Sequence, residues 1–521
     1  MKAKTWEQKQ KDRQNYLRNT AKGDSARNLS KSFYSILAVI AAALVLAAGF
    51  GVFAYQNFTA ETPLEVSGNT IFVKAGGNFQ AALEQAKPGD TILLQAGATF
   101  RGNFNLPTKS GADFIIVRTS AAESQIPAAD ARLDPAKYAG VLPKLVSPNS
   151  EPVLSAYNGA HHFRFVGIEF GATKNGVGNI VKLGTTEEKR VEDLPHHIEF
   201  DRVYVHGDPV AGQRRGIAAN GKYIRIVNSY FSDLKKEGDE AQAIAVWATD
   251  GPVEIINNYL EGSAENILFG GGASVLKLVP TDCVVRGNHL NKPLEWRSTN
   301  LDVKNFFEIK NGRRIKVDNN LMTNNWAKAQ DGTGVLFSTR ADNGAATIIE
   351  DIEFTNNIVR GTGNGISVYG AEGSGGHRLT IRNNFFEDIN GQKWGGAGFF
   401  MKSSAWDGLV IENNTIINSG DIAHAYDAPT RGFVFRGNII FQNEYGIKGD
   451  GTPSGQATID KFFPNGEVSG NVIIGGDAAQ YRGKNLYLKS IEQVGFVNAQ
   501  KGNYQLRPDS PLRDKNIGAK N

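Results

Sequence analysis

The chain is 521 residues long, 40% hydrophobic and 21% charged, with a net charge of +4 and a single cysteine, Cys283. One cysteine excludes an intramolecular disulfide, and this apolar content is too high for a disordered chain. Residues 1–31 hold nine Lys/Arg against three Asp/Glu, so the excess charge is mostly in this tail, and no basic stripe of the kind that binds nucleic acid follows it. Residues 32–56 come next, with 23 uncharged, mostly apolar positions at 33–55 (FYSILAVIAAALVLAAGFGVFAY), which is long enough for a membrane-spanning helix. Basic flanks stay cytoplasmic, so the expected arrangement is an uncleaved signal-anchor with everything beyond it outside the cytoplasm, at the cell surface or in the periplasm. A cleaved signal peptide is the alternative, with Ala47, Ala48 and Ala54 as small residues for a cleavage site.

A linker, 57–68, leads to a region read as one domain, 69–515. Its first part, 69–106, places strand IFVKAG, an amphipathic helix NFQAALEQAKPGD and strand TILLQAG in succession, as a solenoid cap requires. Residues 120–152, rich in Ala, Pro and Ser, read as an insertion. Alternating runs follow at 163–170, 198–205 and 224–231. Then a phrase repeats: an alternating strand, a paired Asn-Asn or Gly-Asn, and an apolar pair. It reads VEIINNYL at 253–260 and IEFTNNIV at 352–359, and its second Asn falls at 258, 288, 320, 357, 384, 414, 438 and 471. Steps of 24–37 residues without helical periodicity predict an all-β, single-stranded right-handed parallel β-helix of about eleven coils. Asn tolerates a left-handed turn, and its amide can bond to the amide one coil above. Residues 491–513 lack the signature and close the other end.

The sequence offers several chemical candidates. Asp239 and Glu240, with Glu237 nearby, are candidate paired carboxylates for glycoside hydrolysis. His161-His162 and His196-His197 are expected to point to opposite faces of a strand, so that neither pair chelates a metal unaided. His206 with Asp208 is a weaker acid-base candidate. Trp247, Trp296, Trp326, Trp394 and Trp406 lie in or beside the repeats, where aromatic faces can stack on sugar rings. Cys283 reads as a small buried hydrophobe.

The capping phrase AKPGDTILLQAG at 86–97 and the Asn-marked units resemble the pectate-lyase-type right-handed β-helix superfamily. Three segments in order, AENILFGGG at 264–272, FFEIKNGRRIKVDNN at 306–320 and GVLFSTRADNG at 334–344, resemble polysaccharide lyase family 6. The central stretch also resembles uncharacterised bacterial right-handed β-helix repeat proteins. The family 6 resemblance implies a calcium site at Glu265, Asn266 and Glu308, Lys310 as base and Arg340 as its cationic partner. Lys310 follows Glu308 more closely than in that family, and Arg340-Ala-Asp replaces its Arg-His-Gly. Strand parity adds Arg314 to the face of Glu308 and Lys310, and Trp296 and Trp326 complete the expected substrate track. A lyase of this kind neutralises a uronate carboxylate with Ca²⁺ or Arg/Lys while a neutral base removes the C5 proton. The expected function is therefore a membrane-anchored, extracytoplasmic protein that binds an acidic polysaccharide and cleaves it by β-elimination. The alternatives are a non-catalytic carbohydrate-binding, adhesive or envelope protein, and a glycoside hydrolase. The oligomeric state is open.

Overall fold

The computed structural model describes residues 64–341, 344–345 and 347–520. The apolar run at 33–55 lies outside the described residues, and among those described no helix is long and apolar enough to cross a membrane.

Alternating sequence becomes short parallel strands because β-branched and aromatic residues at every second position face one shared interior. One coil shows the plan. Val253–Ile256 joins a first sheet, Tyr259–Glu261 a second and Glu265–Phe269 a third. Each strand pairs in parallel with its counterpart one coil on: Ile255 with Val285, Leu260 with Leu290, and Ile267 with Phe307. The sheets hold 16, 14 and 12 strands, so the described residues form a long parallel β-helix. A continuous core runs along the inside, from Ile71 through Phe163, Phe200, Ile255, Phe307 and Phe354 to Phe435. At the start lies a helix, Phe79–Gln85, whose Asn78 side chain caps the Ala81 N–H. At the far end an antiparallel pair, Phe496–Asn498 with Asn503–Leu506, covers a second small core around Val472, Ile474 and Leu512.

The Asn pair divides its labour. The first member takes the left-handed conformation (Asn257, Asn319, Asn356, Asn383 and Asn413, φ 54–57°) and turns the chain. The second is buried and builds a ladder. Asn258 Nδ2 donates to Asn288 Oδ1 at 3.0 Å, Asn288 to Asn320 at 3.0 Å, and so on to Asn471, which donates to Asn485 at 2.9 Å. Each amide thereby satisfies backbone groups that the turn would otherwise bury unpaired. The insertion lies over the outside of this turn: Arg132 donates to the Asn257 and Gly287 carbonyls, and Leu133 N to the Asn228 carbonyl.

Candidate active site

The groove follows from the third sheet. Its strand Asn305–Ile309 pairs with Thr333–Ser338, which pairs with Asn364–Tyr369. Alternation sends Phe307, Ile309, Val335 and Phe337 into the core and turns Glu308, Lys310, Leu336 and Ser338 outward. The outward side chains and the loops beyond them bound an open cleft of about 380 Å³. Lys310, Arg340 and Lys402 bring three cations to it, and Tyr369 and Tyr426 two phenols. The Arg340 guanidinium lies 4.7 Å from the Tyr369 ring centre and is held by Glu372 at 2.6 Å. The Lys402 ammonium lies 4.8 Å from the Tyr426 ring centre. Burial pushes the Tyr426 phenol up to about 12, so it remains a hydrogen-bond donor. Gly271 makes room for Lys310, since a Cβ there would sit 3.2 Å from its Cδ.

Glu308 lies at the back of the cleft, 2% exposed, with Oε1 4.0 Å from Lys310 Nζ. Burial first, and the charge of Glu265 next, push its carboxyl well above the usual range. Glu308 Oε2 and Glu265 Oε1 are both buried without a hydrogen-bond partner. A proton retained on Glu308 relieves that pair. Glu265 is further committed to a buried polar row: Arg215 donates to Gln242 at 2.9 Å, and Gln242 to Glu265 Oε2 at 2.9 Å. Lys304 Nζ stands 3.6 Å from Glu265 Oε1 and also pairs with Glu240.

The expected calcium trio does not assemble. Asn266 is fully buried, donates to the Leu260 and Asn291 carbonyls, and accepts from Lys292 Nζ at 3.2 Å, so its amide oxygen is turned away from the cleft. What remains is two buried carboxyl groups, each with a lysine Nζ within 4.0 Å, where calcium takes six to eight oxygens. This donor set does not fit calcium.

Three further expectations are corrected. Arg314 does not share the cleft: it has φ 47°, lies past the turn at Asn311-Gly312 at the edge of the first sheet, and pairs with Asp282 at 2.6 Å. Strand parity fails there because the left-handed residue resets it. Trp296 and Trp326 are 3% and 5% exposed and pack with Leu301, Val303 and Trp394 in a separate apolar cluster, so they offer no stacking face. The histidine pairs do not splay to opposite faces, since His162 and His197 also have positive φ (58° and 52°).

The remaining candidates are locally engaged. Asp239 pairs with Arg214 at 3.0 Å, and Glu240 with Lys304. His206 bonds Glu169 at 2.8 Å, while Asp208 caps Val210 and Ala211. Burial raises the Cys283 thiol to about 12. Sequence reasoning missed Tyr369, Lys402, Tyr426 and Lys292. The first three sit on later coils, and only the strand register, Ser338 beside Tyr369 and Ser367 beside Lys402, brings them to Lys310.

No family model matches the chain, and no curated protein does either. Among solved structures it is similar to a mannuronic acid specific polysaccharide family 6 lyase from human gut microbiota, at 12% identity over 80% of this chain and 91% of that one, with a TM-score of 0.45. It is similar to the alginate lyase of Paenibacillus sp. str. FPU-7 at 13% identity, covering 80% and 97%, with a TM-score of 0.27. PfbA, a surface adhesin of Streptococcus pneumoniae, is similar at 12% identity, covering 69% and 82%, with a TM-score of 0.32. Likeness at this level concerns the path of the backbone, and the chemistry rests on the cleft.

Proposed function

We propose that the chain binds an acidic, uronate-containing polysaccharide along the third sheet and cleaves it by β-elimination, without a metal. One observation carries the reading: Lys310, Arg340 and Lys402 converge with Tyr369 and Tyr426 around one outward cleft. Three cations in one polar groove suit a polyanion, and the tyrosine faces suit sugar rings.

In this reading Arg340 and Lys402 neutralise the uronate carboxylate, which acidifies the C5 proton. Lys310, in its amine form, takes that proton. The C5–H electron pair forms the C4–C5 double bond, the C4–O bond breaks, and the leaving oxygen is protonated from the Lys310 ammonium or from water. Protonated Glu308 adds no negative charge opposing the substrate. The uncharged run at 33–55 supports placement of the β-helix outside the cytoplasm, where such polymers occur.

The test is incubation of the full-length chain with alginate, pectate, chondroitin and heparan-type polymers, following the ultraviolet absorbance of the unsaturated product and, in parallel, new reducing ends. Product absorbance on one polymer supports the lyase. Reducing ends without absorbance favour a hydrolase, and binding without either favours a carbohydrate-binding protein.

A further inference from the structure

Four of the protein's eight histidines stand together on the first sheet, away from the third-sheet cleft. His161 and His162 open strand His161–Val166, and His196 and His197 open strand His196–Asp201. The strands are parallel neighbours, with His196 beside His161. In extended backbone the second ring of each pair would face the opposite side. Here the left-handed backbone at His162 and His197 swings it back beside the first. His161 and His162 approach through their Nδ1 atoms at 2.7 Å, and so do His196 and His197. Between coils the rings stack, His161 on His196 at 4.6 Å and His162 on His197 at 4.5 Å, with Tyr223 continuing the second column at 4.4 Å. The edge of Phe114 closes against His162.

Nitrogen atoms of His161, His162 and His196 all lie within 4.8 Å of one another. Zinc bonded to imidazole at about 2.0–2.1 Å spaces its ligand nitrogens about 3.4 Å apart, so ring shifts of about 1 Å close the set. A donor set made only of imidazoles selects late transition metals and leaves calcium and magnesium unserved. The rings are half-buried and reachable from solvent. Burial first, and the neighbouring rings next, lower His162, His196 and His197 below the usual imidazole range. The other charged groups facing them are Asp113 near His162 and Lys222 near His196, the latter paired with Asp250.

We propose that His161, His162 and His196 form a binding site for one divalent late-transition-metal ion, with zinc as the type case and a fourth position left to solvent or His197. Bound there, the ion ties together two successive coils of the solenoid at its edge. The site is independent of the polysaccharide reading.

The test uses the full-length chain without a polyhistidine tag, stripped with chelator and titrated with Zn²⁺ or Co²⁺ alone. The expected result is one ion per chain, a ligand-field absorption for Co²⁺, and affinity at least about tenfold weaker in the double variant His161→Ala/His196→Ala. The control double variant His377→Ala/His424→Ala, which removes two histidines elsewhere, keeps wild-type affinity. Equal affinity in all three proteins, or no ion retained by wild type, overturns the site. X-ray absorption of the zinc-loaded wild type covers a folding failure of the variant: about three imidazole nitrogens at the metal support the proposal, and an oxygen-only shell overturns it.

Discussion

Lys292 Nζ donates to Asn266 Oδ1 at 3.2 Å while also reaching the carbonyls of Gly262, Ser263 and Ala264 at 2.7–3.1 Å. A fully buried ammonium thus holds the turn between the second and third sheets. Burial pulls Lys292 down to about 7, opposed by the charge of Glu265. Substituting Lys292→Met leaves the Gly262 and Ser263 carbonyls and Asn266 Oδ1 without a donor, while Ala264 keeps the Lys304 and Asn305 N–H groups. The expected loss is about 3 kcal/mol of stability, read from chemical denaturation. A loss below about 1 kcal/mol would show that the turn does not depend on this cage.

The cleft gives a kinetic prediction with two distinguishable parts. In the proposed mechanism Lys310→Ala removes the base, so kcat on the cleaved polymer is expected to fall about 10²–10⁴-fold with folding intact. Arg340→Lys keeps the charge but loses the planar guanidinium stacked on Tyr369 and bonded to Glu372. Its expected signature is a raised KM together with reduced kcat, because the two groups are not interchangeable at a stacked site. Cleavage unchanged in Lys310→Ala would remove Lys310 from the mechanism.

These two cases show how far the sequence was readable. The Asn phrase made the parallel β-helix legible, because one residue type had to serve both a left-handed turn and a buried ladder. Glu308, Lys310 and Arg340, which the order of the segments set on neighbouring coils, do line one cleft. Parity reasoning failed at His162, His197 and Arg314, each left-handed where most residues are extended. Nothing in their side chains marks that conformation, which comes from the corner between the third and first sheets. Trp296 and Trp326 misled for another reason. An aromatic beside a repeat packs wherever a loop offers it apolar neighbours, and here Leu301 and Val303 do.

Among the described residues Glu265, Asn266 and Glu308 do not come together as calcium ligands, so the proposed mechanism predicts that the rate of cleavage is insensitive to calcium. Adding Ca²⁺, or removing it with a calcium-selective chelator, is expected to change the initial rate by less than about twofold, because Arg340 and Lys402 supply the neutralising charge. A strict calcium requirement would mean that Glu265 and Glu308 release their lysine partners to ligate the ion.

Glu308 predicts a pH dependence of stability. Its folded-state pKa is raised, by burial first and Glu265 next. The stabilisation of the protonated carboxyl is therefore complete below the ordinary carboxylate pKa and is lost as pH rises through the raised value. Glu261, which burial lifts to about 7, contributes in the same direction. Comparing wild type with Glu308→Gln isolates the first term. The urea midpoint of wild type should fall more steeply toward alkaline pH than that of the variant. Parallel curves would mean that Glu308 is ionised in the folded protein.

The Asn ladder predicts a gradient of sensitivity along the solenoid. Asn357 Oδ1 accepts from Asn320 N and Nδ2 at 3.0 and 2.9 Å, and its own Nδ2 donates to the Val317 carbonyl at 2.9 Å and to Asn384 at 3.1 Å. Asn357→Ala strands the Asn320 N–H and the Val317 carbonyl, both buried on the preceding coil, and removes one bond each from Asn320 Nδ2 and Asn384 Oδ1, which keep other partners, for an expected loss of about 2–4 kcal/mol. Asn357→Asp keeps the accepting oxygen but sets a carboxylate against Asn384 Oδ1, and should be no better. Asn485 at the end of the ladder is only part-buried, with water available to its freed neighbours, so Asn485→Ala should cost about 1 kcal/mol or less. Equal losses at Asn357 and Asn485 would mean that the turn conformation, rather than the chain of amides, carries the stability.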